Sequence, residues 1–102
     1  MLDNKFFTNE SLTIKKLAEE LDEKEYILRK IINQQLNYNN FSDFLNSYRI
    51  AEAKNRLKDV NQKKKTILEI AYEVGFNSIG PFNRAFKLNT GLTPTEFRKK
   101  HI

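Results

Sequence analysis

The sequence predicts an all-α fold in which two helix-turn-helix units are joined by a long linker helix, six to seven helices in all. Three observations carry this. Gly (3) and Pro (2) are scarce while Leu, Ile, Lys, Glu and Asn dominate, the composition of helices joined by short polar turns. Apolar residues recur at i, i+3, i+4 and i+7 in successive windows, the spacing of one buried helix face. The chain also repeats itself: Thr13-Ile14-Lys15-Lys16-Leu17-Ala18-Glu19-Glu20-Leu21 matches Thr66-Ile67-Leu68-Glu69-Ile70-Ala71-Tyr72-Glu73-Val74 at an offset of 53, with Thr, the aliphatics, Ala and Glu in the same order.

The 102 residues make one domain. Its first unit spans residues 8–40. Thr13 caps a helix whose buried face is Ile14, Leu17, Ala18 and Leu21; Asp22 occupies the turn, and a second helix runs from about Lys24 to Leu36 with Leu28, Ile31 and Ile32 inward. The small Ala18 lets another helix cross closely. Residues 41–60 form the linker. Phe41, Phe44, Leu45 and Tyr48 lead into Ile50, Ala53 and Leu57, so one helix from about Ser42 to Lys58 touches a different unit at each end and acts as a strut.

Residues 61–102 form the second unit and a closing helix. After the polar loop Asn61-Gln62-Lys63-Lys64-Lys65, Thr66 and Glu69 make a capping box, and Ile67, Ile70, Ala71 and Val74 repeat the buried face. Gly75 stands four residues after Ala71, where a sharp turn requires positive φ. Ala, three residues, then Gly marks a helix-turn-helix. Ser78 is placed as the next N-cap, and Phe82, Ala85 and Phe86 face the core; Phe82 to Lys87 matches Leu28 to Asn33 in pattern after one extra residue. Thr93-Pro94-Thr95-Glu96 then opens a closing helix through Phe97, with Pro at the first helical position. The phenylalanines at 41, 44, 76, 82, 86 and 97 follow the helical period and are core, not a base-stacking platform.

Several function classes are excluded by composition. There is no Cys and a single histidine, His101, so thiolate zinc sites, Cys nucleophiles and His-based acid-base constellations have no residues to build them. The expectation is therefore no enzyme, no metal and no cofactor. No stretch reaches the roughly 18 apolar residues of a membrane span, and no signal peptide opens the chain, so a soluble, cytoplasmic protein with no membrane partner is expected. The net charge of +5 is uneven. Residues 1–51 carry 7 Lys and Arg against 8 Asp and Glu, net −1, whereas residues 52–102 carry 11 against 5, net +6. The basic excess belongs to the second unit.

Ile70-Ala71-Tyr72-Glu73-Val74-Gly75-Phe76, then Phe82-Asn83-Arg84-Ala85-Phe86-Lys87, then Thr90-Gly91-Leu92-Thr93-Pro94-Thr95-Glu96-Phe97-Arg98, resembles the C-terminal signature of the DNA-binding domain of AraC/XylS-type transcription regulators. Tyr48-Arg49-Ile50, Ala53-Lys54 and Leu57 are similar to that family's linker helix, and the resemblance covers nearly the whole chain. It implies a homeodomain-like, seven-helix monomer that places two recognition helices in successive major grooves. It also implies a bacterial-type regulator with the transcription machinery as a further partner, and a chain that is the C-terminal part of a longer regulator carrying a sensing or dimerising domain. The sequence departs from the family pattern at four places. Asp22 and Asn37 stand where Gly is common, the segment Tyr38 to Phe41 is one residue longer, and Ile79-Gly80-Pro81 replaces polar residues at the second recognition helix.

The expected partner is double-stranded DNA, read sequence-specifically. In the first recognition helix Tyr26, Arg29, Lys30 and Asn33 share a stripe opposite the core; Arg29 suits a guanine and Asn33 an adenine. In the second, Ile79, Gly80, Asn83 and Arg84 are the base-facing candidates. Backbone contacts fall to Thr13 and Thr66 at helix N-termini, where free N–H groups favour an anion, and to Lys15, Arg49, Ser78 and Lys87, with Lys65 as a further candidate. Lys63, Lys64, Lys99 and Lys100 are solubilising charge. The alternative is a helical protein-interaction module without specific DNA binding, for which the charge is incidental.

Overall fold

The computed structural model describes residues 8, 12–36, 38 and 40–101, which form six α-helices and, among the described residues, no strand. They are α1 (Ile14–Glu20), α2 (Glu25–Lys30), α3 (Phe41–Lys58), α4 (Ile67–Glu73), α5 (Ile79–Thr90) and α6 (Pro94–His101). A π turn, Ile31–Gln35, continues α2, and a short 3-10 turn, Val60–Gln62, follows α3.

The repeated threonines cap the two equivalent helices. Thr13 Oγ1 accepts from the Lys16 N–H at 3.2 Å, and Thr66 Oγ1 accepts from the Glu69 N–H at 3.0 Å. Among the described residues the return bond expected from Glu69 is not made. The reciprocal box closes instead at α6, where the Glu96 N–H donates to Thr93 Oγ1 at 3.2 Å and the Thr93 N–H donates to Glu96 Oε1 at 2.9 Å, with Pro94 next in the chain.

Both turns close with the same pair of hydrogen bonds. After α1 the Asp22 and Glu23 N–H groups reach the carbonyls of Glu19 and Ala18 at 3.2 and 2.9 Å; after α4 those of Gly75 and Phe76 reach Tyr72 and Ala71 at 3.2 and 3.0 Å. This Schellman arrangement needs a left-handed residue at the turn. Gly75 supplies φ 111° and Asp22 φ 52°, so Asp does in the first unit what Gly does in the second.

The first recognition helix is not the uniform helix that its apolar spacing suggests. Its α-helical part ends at Lys30, and the next turn widens so that the Leu36 N–H reaches the Ile31 carbonyl at 2.9 Å and the Tyr38 N–H reaches that of Ile32 at 3.0 Å. A π turn holds one more residue than an α turn. With this turn Leu28 and Ile32 stay buried, and the Tyr38 ring lies 5.5 Å from Phe44. The expected cap at Asn37 lies outside the described residues, as do residues 1–7.

α3 is the strut. Its first half adds Phe44 and Leu45 to a core made with Leu12, Ile14, Leu17, Ala18, Leu28 and Ile32. Its second half adds Ile50, Ala53 and Leu57 to another, made with Ile70, Ala71, Val74, Phe76, Phe82, Phe86 and Phe97. Two cores on one helix give a long particle, 42 × 22 × 22 Å. Polar bonds tie the second core's rim: Arg56 bridges Glu52 and Glu73 at 3.0 and 2.9 Å, Lys65 Nζ meets Glu73 at 2.6 Å, and Arg98 Nη1 donates to the Lys65 carbonyl at 2.7 Å.

Candidate nucleic-acid interface

In each unit the second helix buries one apolar edge and leaves a polar one outside. In the first, Leu28 and Ile32 are buried and Ile31 is half-buried, while Tyr26 (66 % exposed), Arg29, Lys30 and Asn33 are at the surface. Tyr26, Arg29 and Lys30 lie at i, i+3 and i+4 within α2 and share a stripe. Asn33 is exposed but falls in the π turn, so the stripe does not continue to it in α-helical step. The Arg29 Nη2 donates to Glu25 Oε1 at 2.8 Å, a pair one helical turn long. Glu25 was not among the residues singled out by sequence, although its spacing of four from Arg29 is legible there.

In the second unit, Phe82 and Phe86 are fully buried and Ala85 half-buried, leaving Asn83, Arg84 and Lys87 exposed along α5. Ile79 and Gly80 form the helix's leading turn, Ile79 at 36 % exposure and Gly80 half-buried. Pro81 is tolerated there because first-turn N–H groups have no intrahelical partner to lose. Ser78 takes the extended backbone of an N-cap, φ −158° and ψ 159°, but its hydroxyl accepts no helix N–H. A Cβ on Gly80 would meet only Arg84 Nη1, at 3.6 Å, so the Arg84 side chain runs back over the glycine.

A groove of about 730 Å³ flanks this helix, walled by Ile67 and Leu68 of α4, by Ile79, Asn83, Arg84, Lys87 and Leu88 of α5, and by Thr93, Pro94 and Thr95. Leu88 is 91 % exposed, four residues beyond Arg84, an apolar group on the outer face that the core periodicity gave no reason to single out.

The candidates for backbone contact divide. Thr13 and Lys15 are exposed together at the start of α1, with Lys16 beside them. Thr66 is equally exposed, but Glu69 stands in its first turn, and a carboxylate there competes with any anion for the N-terminal dipole. Lys87 is exposed. Arg49 is set deeper than the others. It is only 8 % exposed, its guanidinium lies 5.8 Å over the Phe76 ring, and its Nε packs under the turn at Gly75, where an added Cβ would sit 2.6 Å away. It packs beneath the second turn from the linker and lines a small open pocket with Ser42, Asn46 and Asn77. Lys65 is likewise engaged, with Glu73.

Among the described residues no three His, Cys, Asp or Glu come together as a metal site, and no helix is long and apolar enough to cross a membrane.

Known proteins share this arrangement. A family model described as a helix-turn-helix domain matches residues 17–100. An uncharacterized HTH-type transcriptional regulator of Staphylococcus aureus strain MSSA476 is 36% identical over 90 residues; the match covers 88% of this chain but 12% of that protein. The C-terminal domain of AraT, a response regulator from Geobacillus stearothermophilus, superposes with a TM-score of 0.77 at 30% identity, covering 95% of this chain and 77% of that one. The C-terminal domain of the two-component response regulator yesN from Fusobacterium nucleatum gives a TM-score of 0.73 at 28% identity, over 90% and 85% of the two chains. The chain thus spans about an eighth of the length of the curated relative it matches.

Proposed function

Because the chain belongs to the helix-turn-helix domain family of AraC type, a family of DNA-binding domains of transcription regulators, we propose that it reads double-stranded DNA sequence-specifically with one recognition helix in each of two successive major grooves. The observation that carries the reading is the doubled device: two helix pairs closed by identical turn bonds, packed on opposite halves of α3. A rigid strut between two readers suits a repeat of about 34 Å, one turn of duplex.

In this reading Tyr26, Arg29, Lys30 and Asn33 face bases in the first groove. Ile79, Gly80, Asn83 and Arg84 face them in the second, where the glycine permits close approach and Ile79 meets a thymine methyl. Thr13, Lys15, Ser78 and Lys87 hold phosphates, and Thr66 does so more weakly because of Glu69. Unit two carries the positive excess and supplies more backbone affinity; unit one has the richer polar stripe and supplies more base discrimination. The chain would act as the DNA-binding part of a longer regulator with a sensing or dimerising portion, and the transcription machinery would be a further partner.

Fluorescence anisotropy against duplex DNA at several salt concentrations tests the reading. With about six phosphates engaged, log affinity falls against log salt with a slope near −5. A slope of zero, or retention unchanged in Arg29→Ala and Arg84→Ala, would leave a protein-interaction module as the better account.

A further inference from the structure

The two recognition helices hold their arginines differently. Four residues before Arg29 stands Glu25, whose Oε1 accepts from Arg29 Nη2 at 2.8 Å. Four residues before Arg84 stands Gly80, which offers no acceptor, and Arg84 makes no side-chain hydrogen bond or ion pair among the described residues. One guanidinium has a carboxylate partner a helical turn away, and the other has none among the described residues.

We propose that Glu25 is a positioning residue that aims Arg29 at a base and penalises its use on phosphate, so that base discrimination concentrates in the first unit. The inference rests on the reading of Arg29 as a base contact. A guanidinium has five N–H donors, and Glu25 occupies one; the others remain for the two acceptors on a guanine edge. An arginine already held loses less rotamer freedom on docking than a free one. In the free protein the two side chains are 56 % and 41 % exposed, and water makes such a pair weak. In a groove from which water is expelled the same contact strengthens.

Specificity follows from the other half of the pair. If Arg29 swings to a phosphate, the Glu25 carboxylate is left unpaired beside a negative backbone, which disfavours that register. Glu25 therefore lowers affinity for arbitrary duplexes while sharpening the choice among them. A carboxylate that only stabilised its own helix would not separate these two effects.

The test compares wild type, Glu25→Gln, Glu25→Ala, Arg29→Ala and the Glu25→Ala, Arg29→Ala double variant. Affinity is measured for a duplex chosen by selection, for the same duplex with the first-block guanine replaced, and for an unrelated duplex, with thermal unfolding of each protein alongside. We expect Glu25→Ala to cut the preference for guanine about five-fold, the lower end of what one bidentate contact contributes. The same variant should bind the unrelated duplex more tightly. Glu25→Gln, which keeps an acceptor without the charge, retains part of the preference, and in the Arg29→Ala background Glu25→Ala changes the preference no further. An unchanged preference in Glu25→Ala, with or without a lower melting temperature, overturns the proposal. So does an equal loss in the Arg29→Ala background, which would make Glu25 act on its own. If Arg29→Ala itself leaves the preference intact, the base-contact reading of Arg29 fails, a result distinct from failure of Glu25 alone.

Discussion

The Arg49 side chain of the linker helix fills the space beneath the second turn so closely that a Cβ on Gly75 would come within 2.6 Å of its Nε. The same Cβ would meet the Thr8 carbonyl oxygen at 2.9 Å, and the glycine's φ of 111° is one that L side chains rarely adopt. Two independent reasons therefore demand Gly here: backbone conformation and close approach.

Gly75→Ala should destabilise the domain by roughly 2–5 kcal/mol, strain and overpacking together. Asp22→Gly at the equivalent turn should be neutral or stabilising by up to about 1 kcal/mol, because it relieves a left-handed φ without removing a packed side chain. Urea denaturation measures both. Effects of equal size and opposite sign at the two turns would mean that φ alone matters and that Arg49 is incidental.

If Arg49 is a prop, its loss and that of a phosphate-facing lysine must look different. Arg49→Ala should lower the melting temperature while leaving the salt slope of DNA binding at its wild-type value. Lys87→Ala should do the reverse, reducing the slope by about 1 with stability unchanged. A reduced slope for Arg49→Ala in a still-folded protein would make it a phosphate contact as well as a prop.

Acid stability should depend on Glu73. Burial pushes its carboxyl up, but hydrogen bonds from Lys65 and Arg56 outweigh that and hold it below the usual carboxylate range. A pKa depressed on folding contributes stability that is present above the unfolded value, about 4.3 for Glu, and is lost as pH falls through the folded value. Unfolding free energy should hold down to about pH 5 and decline below it. Glu73→Gln should make that decline shallower without abolishing it, since the Asp59 and Glu96 carboxyls are also lowered, each mainly by hydrogen bonds from backbone N–H groups. An unchanged acid limb in Glu73→Gln would show that this cluster contributes nothing on folding.

Much of this architecture was legible in the sequence because repeats and apolar periods report directly on buried faces. Ile14, Leu17 and Ala18 recur as Ile67, Ile70 and Ala71, and α3 runs Phe41–Lys58 against an expected Ser42 to Lys58. What escaped depends on tertiary context. The π turn at Ile31–Gln35 keeps Ile32 in the first core while the helix widens, and no period announces it. Arg49 reads as one more surface cation because nothing in its neighbours says that a glycine turn will close over it. Glu25 was readable from spacing, yet an i, i+4 pair is so ordinary on helices that only its contrast with Gly80 gives it weight.

The most direct test of the central claim is selection of bound duplexes from a random pool by the wild-type chain, repeated with Arg29→Ala and Arg84→Ala. Two separate base blocks with centres about 10 base pairs apart, the first erased by Arg29→Ala and the second by Arg84→Ala, are the predicted result. A pool left unenriched, or a single block that Arg84→Ala does not touch, would contradict reading of two successive grooves.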